Sequence, residues 1–245
     1  MIGRVLLVLY PAFMLGGVGL YFASRKVEPA IRRSRLIKFV TYFCIVNLFL
    51  FAAFAGSIVF SAMMVLVSAL GAGELYKLLP GAGRGRAGIC LLIAAAYCLI
   101  AAGAIVFAWQ TIPAVAVFVF LVVCTFDGFS QVSGQMLGRH RLSPAISPGK
   151  TIEGSLGGLV FATGMGLLLR PQGWSILQCL LIGCLVALAS LTGDLLASWV
   201  KRRSNVKDYG TLIPGHGGIL DRFDSFLFAA ATYAAVCATG RFSAW

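Results

Sequence analysis

Charged residues are scarce in this chain of 245 residues: they make up 11% of it, and only eight are acidic. Hydrophobic residues make up 60%, and the mean hydropathy is +0.93. Soluble domains carry about 25% charged and about 45–50% apolar residues, so this composition excludes an ordinary soluble domain and predicts a polytopic membrane protein. Because the apolar runs lack the alternation of barrel strands, we expect an all-α fold.

Paired metal-binding motifs are missing as well. The seven cysteines lie in or beside apolar runs and none forms a CxxC pair, and the chain has only two histidines. Neither a zinc site nor a disulfide framework is therefore indicated. The net charge of +12 fits basic cytoplasmic loops that face anionic lipid head groups, so we expect membrane lipids and no nucleic acid as partners.

About eight apolar segments are predicted to cross the membrane as helices. We place them at Ile2–Ala23, Ile37–Ala55, Ser57–Gly73, Ala87–Ala108, Ile112–Phe126, Gly154–Leu169, Trp174–Leu191 and Phe226–Thr239. Only Gly56 separates the second from the third, and a single helix over both would measure about 50 Å, so we predict a hairpin. The first segment has an alternative interpretation as a signal peptide cleaved after Ala23.

The distribution of charge supports an orientation. If the loop after the first segment lies in the cytoplasm, every basic residue except Arg4, Arg170 and Arg241 falls on the inner side, and so do all eight acidic residues. This distribution follows the positive-inside rule. We therefore expect the functional site on the cytoplasmic side, in a catalytic region over residues 111–245, with residues 1–110 as a scaffold that faces lipid.

The first charged segment covers residues 127–158. Asp127 lies at the inner end of an apolar helix, where a carboxylate is either paired, bound to a metal or solvated. Ser147, Lys150 and Thr151 precede a helix that we expect to start near Glu153. A helix N-terminus offers free N–H groups and a positive dipole end, so this stretch favours phosphate binding.

The second charged segment, Gly193–Arg203, continues the seventh apolar segment. If it is helical, Asp194, Ser198 and Lys201 lie at positions i, i+4 and i+7 on one face. That face would carry a carboxylate, a hydroxyl and an ammonium in a row. The neighbouring Arg202 is consistent with two roles: it contacts a phosphate, or it extends its side chain to the membrane surface.

The third charged segment covers residues 207–224. Lys207 and Asp208 precede a turn in which three glycines surround His216, and glycines allow a ligand to approach the backbone. His216 fits either a phosphate contact or a hydrogen bond within the turn. Asp221 and Asp224 follow at i and i+3, so both carboxylates can face one hard cation such as Mg²⁺.

These residues closely resemble the motif of the phosphatidate cytidylyltransferase (CDP-diacylglycerol synthase) family. The likeness runs through Ser198-Trp-Val-Lys201-Arg202, Lys207-Asp208-Tyr-Gly210 and Leu212-Ile-Pro214-Gly-His216-Gly217-Gly218-Ile-Leu-Asp221-Arg222-Phe-Asp224. Two further family elements are similar to Ser147-Pro-Gly-Lys150-Thr151-Ile-Glu153-Gly154 and to Gly193-Asp194-Leu195. Gly149 stands where the family has Lys, and Ala197 stands where it usually has Glu.

The resemblance implies an integral protein of the bacterial inner membrane that makes CDP-diacylglycerol and pyrophosphate from CTP and phosphatidate. It implies Mg²⁺ as cofactor and leaves a second, monovalent cation and a homodimer open. Its metal ligands would be Asp194, Asp221 and Asp224. Its catalytic residues would be Asp194, Asp221, Ser198 and Lys201, and its substrate-binding residues would be Lys150, Thr151, Ser147, Arg202, Lys207, Asp208, His216 and Arg222.

Three other functions fit the sequence less well. A related CTP-dependent transferase could use another phospholipid or a polyprenyl phosphate as acceptor. A membrane transporter of an ion or anionic solute would be expected to carry interrupted helices in two similar halves, whereas the charged motifs here occupy only the C-terminal half. A catalytically inactive scaffold is the third, because Gly149 and Ala197 depart from the family pattern.

Overall fold

The computed structural model describes residues 2–25, 27–78, 87–213 and 217–240. In these ranges the chain forms eight helices and one two-stranded β-hairpin. The elements are α1 (Ile2–Ala23), α2 (Pro29–Phe54), α3 (Ser57–Leu78), α4 (Ala87–Gln110), α5 (Pro113–Leu137), β1 (Arg141–Ser143), β2 (Ser147–Thr151), α6 (Ile152–Leu168), α7 (Ile176–Arg203) and α8 (Leu220–Ala238).

The helical prediction is confirmed, including the break between the second and third segments. Helix α2 ends at Phe54 and α3 begins at Ser57, and Gly56 lies between them with a φ of 112°. Glycine adopts this backbone conformation without the steric cost that a side chain adds. The hairpin Arg141–Thr151 is an addition to the all-α prediction: β1 and β2 pair antiparallel.

Six of the helices are long and apolar enough to cross a membrane: α1, α2, α3, α4, α5 and α7. Helix α6 is apolar but has 17 residues, which corresponds to a length of about 26 Å. Helix α8 begins with Asp221, Arg222 and Asp224 and is not among the six. The helices are thus established, and the count of eight membrane crossings stays a prediction.

An aromatic cluster joins the N-terminal helices to the C-terminal ones. Phe49 of α2 stacks on Phe120 of α5 with a centroid distance of 3.8 Å, and it meets Phe226 of α8 edge-on at 5.0 Å. All three side chains are buried. Such ring pairs add about 0.5–1.5 kcal/mol to what their buried area contributes. The cluster therefore holds α2 against the two helices that lead into the site.

We expect Phe49→Ala to destabilise the protein by about 3–5 kcal/mol, because it removes a buried ring and leaves a cavity between three helices. The matched control is Phe51→Ala on the same helix, whose ring is 68% exposed. Thermal unfolding of both variants in the same detergent measures the difference. An equal fall in melting temperature for the two would contradict the packing described here.

Candidate functional site

A cavity of about 670 Å³ opens between α2, α5, α7, α8 and the end of the β-hairpin. Its lining holds more acidic than basic side chains: five carboxylates against three cations, hence a formal excess of two negative charges. The carboxylates are Asp127, Asp194, Asp208, Asp221 and Asp224, and the cations are Lys150, Lys201 and Arg222. Three segments that are distant in the sequence thus meet in one cavity, as the sequence predicts.

Asp194 is bound from two sides. Its Oδ2 lies 2.5 Å from the Nζ of Lys150, and its Oδ1 accepts a hydrogen bond of 3.2 Å from the hydroxyl of Ser198. Ser198 is one helical turn further along α7, as its spacing predicts. Lys150 reaches Asp194 because it belongs to β2, and the hairpin brings this strand to the side of α7.

Asp221 is an enclosed carboxylate of the cavity, with only 3% of its side chain exposed. Lys201 lies 2.8 Å from its Oδ1. Its Oδ2 accepts hydrogen bonds from the backbone N–H groups of Tyr209 at 2.8 Å and Gly218 at 2.9 Å. A buried charge is stable only when it is paired and hydrogen-bonded, and Asp221 meets both conditions.

Asp127 and Asp224 complete the acidic lining. The hydroxyl of Ser190 donates a hydrogen bond of 3.1 Å to Asp127, and the N–H of Ser225 donates one of 2.7 Å to Asp224. Asp127 therefore belongs to the site, which the sequence left open. Asp224 lies one turn after Asp221 in α8, and both line the cavity as their i, i+3 spacing predicts.

The donor chemistry of the cavity fits Mg²⁺ bound together with a substrate. Over the ranges that the structure describes, no three His, Cys, Asp or Glu side chains form a group that could hold a metal ion alone. Mg²⁺, however, takes one or two protein carboxylates and fills its shell with water and substrate phosphates. Asp194, Asp221 and Asp224 can supply such carboxylates, because all three line one cavity.

The predicted phosphate site at the start of α6 is partly occupied by the chain itself. Helix α6 begins at Ile152, and the side chain of Thr151 accepts a hydrogen bond of 3.1 Å from the N–H of Gly154. One of the free N–H groups therefore already has a partner. Thr151 and Lys150 line the cavity, whereas Ser147 begins β2 and does not.

Three of the other predicted substrate contacts lie in different surroundings. Arg202 donates a hydrogen bond of 3.3 Å to the carbonyl of Ile146, so it holds the turn of the hairpin. Lys207 is exposed and, like Arg202, is not part of the cavity lining. His216 lies outside the described residues. The roles of all three in substrate binding stay predictions.

Sequence reasoning missed the role of Glu74 in α3. Its side chain is buried, and its two oxygens accept hydrogen bonds of 2.9 Å from the N–H groups of Ile219 and Leu220. These amides stand at the start of α8, next to Asp221. A single Glu within an apolar helix is a signal that could have drawn attention, since such residues are costly to bury without a partner.

Two glycines of the third segment make room for carboxylates of the protein. A Cβ at Gly217 would lie 2.9 Å from Oδ2 of Asp221, and one at Gly218 would lie 2.5 Å from Oε2 of Glu74. Gly217 also has a φ of 89°, which favours glycine. We expected these glycines to let a ligand approach the backbone. At Gly217 and Gly218, the space that a side chain would need is occupied by the carboxylates of Asp221 and Glu74.

The two departures from the family pattern differ in their surroundings. A side chain at Gly149 would meet nothing within 4 Å, so the missing lysine leaves no gap in the packing. The carbonyl of Ala197 accepts a hydrogen bond of 2.9 Å from the hydroxyl of Tyr209. Burial raises the pKa of Tyr209 well above its usual range, which keeps this hydroxyl a donor.

Comparison with known proteins finds a matching family and several similar proteins. Residues 86–239 match the model of the cytidylyltransferase family, which is more than half of the chain. The chain is 42% identical over 114 residues to the phosphatidate cytidylyltransferases of Staphylococcus saprophyticus and Staphylococcus haemolyticus, a match that covers 45% of this chain and 44% of each relative.

It is also 42% identical over 120 residues to the phosphatidate cytidylyltransferase of Brucella abortus, with 47% of this chain and 43% of the relative covered. The match thus spans less than half the length of these curated relatives. Every cavity residue from Lys150 to Asp224 lies within the matched region. The family that the motifs predict is therefore confirmed, and the chain belongs to the cytidylyltransferase family.

Proposed function

We propose that this protein is a membrane-embedded phosphatidate cytidylyltransferase, which converts CTP and phosphatidate into CDP-diacylglycerol and pyrophosphate for phospholipid synthesis. One observation carries the proposal. A single cavity gathers Lys150, Asp194, Lys201 and Asp221 from three segments into two lysine–carboxylate pairs. The names of the relatives support phosphatidate as the acceptor.

The proposed reaction joins two anions. A phosphate oxygen of the lipid attacks the α-phosphorus of CTP, a new P–O bond forms, and the bond from that phosphorus to the β-phosphate oxygen breaks, so that pyrophosphate leaves with the electron pair. The protein must hold the two phosphates in line and neutralise their charge. Lys150, Lys201 and Arg222 supply positive charge at the cavity wall.

Each lysine can contact a phosphate without leaving its aspartate. An ammonium group has three N–H donors, and Lys150 and Lys201 each contact one aspartate oxygen in the cavity. The aspartates thereby aim the lysines at the cavity. Ser198 in turn holds Asp194 through the hydrogen bond to its Oδ1. This arrangement preorganises the charges, which is the largest contribution to catalysis in many enzymes.

Asp194, Asp221 and Asp224 are the residues that would hold Mg²⁺. When bound, the ion would neutralise phosphate charge and orient the substrates. A second, monovalent cation and a homodimer remain expectations from the family resemblance. The cavity wall also carries apolar side chains, among them Ile45, Phe120 and Phe226, which suit the apolar part of a lipid.

The first test is a transfer assay with purified protein, labelled CTP, phosphatidate and Mg²⁺. We expect a CDP-lipid product, and we expect Asp221→Asn to lower its rate by about 100-fold or more, because Lys201 loses its charged partner inside the cavity. The control is Glu28→Gln, since Glu28 is an exposed carboxylate outside the cavity that makes no side-chain cap bond to α2.

Thin-layer chromatography of the products separates the acceptor alternatives. Parallel reactions contain phosphatidate, another phospholipid with a terminal phosphate, or a polyprenyl phosphate. Product from a different acceptor only would replace phosphatidate with that lipid. An absence of product with every acceptor and divalent metal would refute the enzyme proposal and favour the inactive scaffold or the transporter.

The second test removes the metal. Treatment with a chelator is expected to abolish transfer and added Mg²⁺ to restore it, because Lys150 and Lys201 are already paired with aspartates and leave the bound phosphates without enough positive charge. Asp224→Asn should raise the Mg²⁺ concentration that gives half-maximal rate by about tenfold. Full activity in the chelator would contradict a metal at this site.

The third test concerns the side of the membrane. CTP is charged and does not cross a bilayer unaided, so it reaches only a site that opens on its own side. We expect inverted inner-membrane vesicles to make CDP-lipid from added CTP, and sealed right-side-out vesicles to do so only after permeabilisation. The opposite result would place the cavity on the outer side.

A further inference from the structure

We propose that Glu74 is a positioning residue of this site: its carboxylate fixes the first turn of α8 and thereby places Asp221. The kinetic part of this inference rests on the proposed function. Glu74 itself is not part of the cavity lining, so it acts through the backbone and not on the substrate. It belongs to α3, which lies before the region that matches the family.

Helix α8 lacks a local cap. The first N–H groups of a helix have no partner within it, and a Ser, Thr, Asp or Asn at the N-cap usually accepts from one of them. Here the N-cap is Ile219, which makes no side-chain cap bond. Glu74 fills this role from a position 145 residues earlier in the chain, through Ile219 N at 2.9 Å and Leu220 N at 2.9 Å.

The cap is coupled to the site through the next residue. Asp221 follows Leu220 directly, and its Oδ2 accepts from the N–H groups of Tyr209 and Gly218. Glu74 and Asp221 therefore bind four backbone amides of one loop and one helix start. Without these two hydrogen bonds, the backbone next to Asp221 would lose the contact that the Glu74 carboxylate makes between α3 and the start of α8.

Two glycines show that the space is shaped for the Glu74 carboxylate. A Cβ at Gly210 would lie 2.8 Å from its Oε1, and a Cβ at Gly218 would lie 2.5 Å from its Oε2. Contacts this short force a displacement. Because carboxylate and loop backbone leave no room for a methyl group, a side chain at either glycine should displace the Glu74 carboxylate or the loop.

Glu74→Gln is the sharpest variant, because it keeps the size of the side chain and replaces one acceptor oxygen with an NH₂ group. That group cannot accept from either amide. We expect kcat for CDP-lipid formation to fall at least tenfold, with the KM for CTP changed less than threefold, because Asp221 is misplaced while the rest of the cavity is kept. Glu28→Gln is the control and should leave both constants unchanged.

Hydrogen exchange of the same full-length proteins in detergent gives a readout that does not need activity. Peptides that cover residues 217–222 should exchange at least about tenfold faster in Glu74→Gln, while peptides from α5 stay unchanged. A general loss of stability would instead accelerate exchange in every helix. If wild-type protein makes no CDP-lipid, the proposed function fails, and this measurement alone supports or overturns the contact.

Gly218→Ala reaches the same contact from the other side, and its effect on kcat in the otherwise wild-type protein is the test if the Glu74 variants do not fold. It should lower kcat in the wild-type background and have little further effect in the Glu74→Ala background, since residues in contact do not act additively. Additive effects, an unchanged kcat in Glu74→Gln, or faster local exchange without a fall in kcat would each overturn the proposal.

Discussion

The burial of Asp221 is the constraint on which the site depends. A carboxylate that is almost fully removed from solvent in so apolar a chain is stable only if each of its oxygens has a partner. Lys201 supplies one, and the amides of Tyr209 and Gly218 supply the others. These partners come from the end of α7 and from the loop before α8. Because the Asp221 carboxylate must be paired by all three, it fixes the path of the backbone around it.

Helix α7 is the element that both ion pairs share. Its Asp194 takes Lys150 from β2, and its Lys201 takes Asp221 from α8. The two pairs thus hold three separate elements around one cavity, and the two residues that α7 contributes lie seven positions apart in the chain. The same helix is long and apolar enough to cross a membrane, which places charged chemistry at the end of a membrane span.

The sequence predicts the parts of the structure that depend on local patterns. Long apolar runs give the helices, and the limit of bilayer thickness gives the break at Gly56. The scarcity of charge makes Asp194 and Asp221 conspicuous. The strand Ser147–Thr151 escapes prediction because it contains Pro148 and Gly149, which are depleted in strands, and because its pairing partner is set by the tertiary fold.

The contact of Glu74 could not be read from any local pattern, since its partners lie 145 and 146 residues further along the chain. The sequence also did not predict that Gly217 and Gly218 make room for carboxylates of the protein itself. A glycine in the sequence indicates only that a side chain would not fit there. The structure shows which group occupies the space, and at Gly217 and Gly218 it is a carboxylate of the protein. Motif residues therefore come together in one cavity, and two of their glycines have a packing role that the sequence did not predict.

The charge balance of the cavity bears on how such a site would work. Lys150 and Lys201 are each already matched by an aspartate, and the carboxylates outnumber the cations that line the wall. Any phosphate that enters adds negative charge to a wall whose two lysines are already paired with aspartates. We would therefore expect the site to bind two anionic substrates together only with a cation that arrives with them, which would give the proposed reaction a need for Mg²⁺ although no described group of His, Cys, Asp or Glu side chains encloses one.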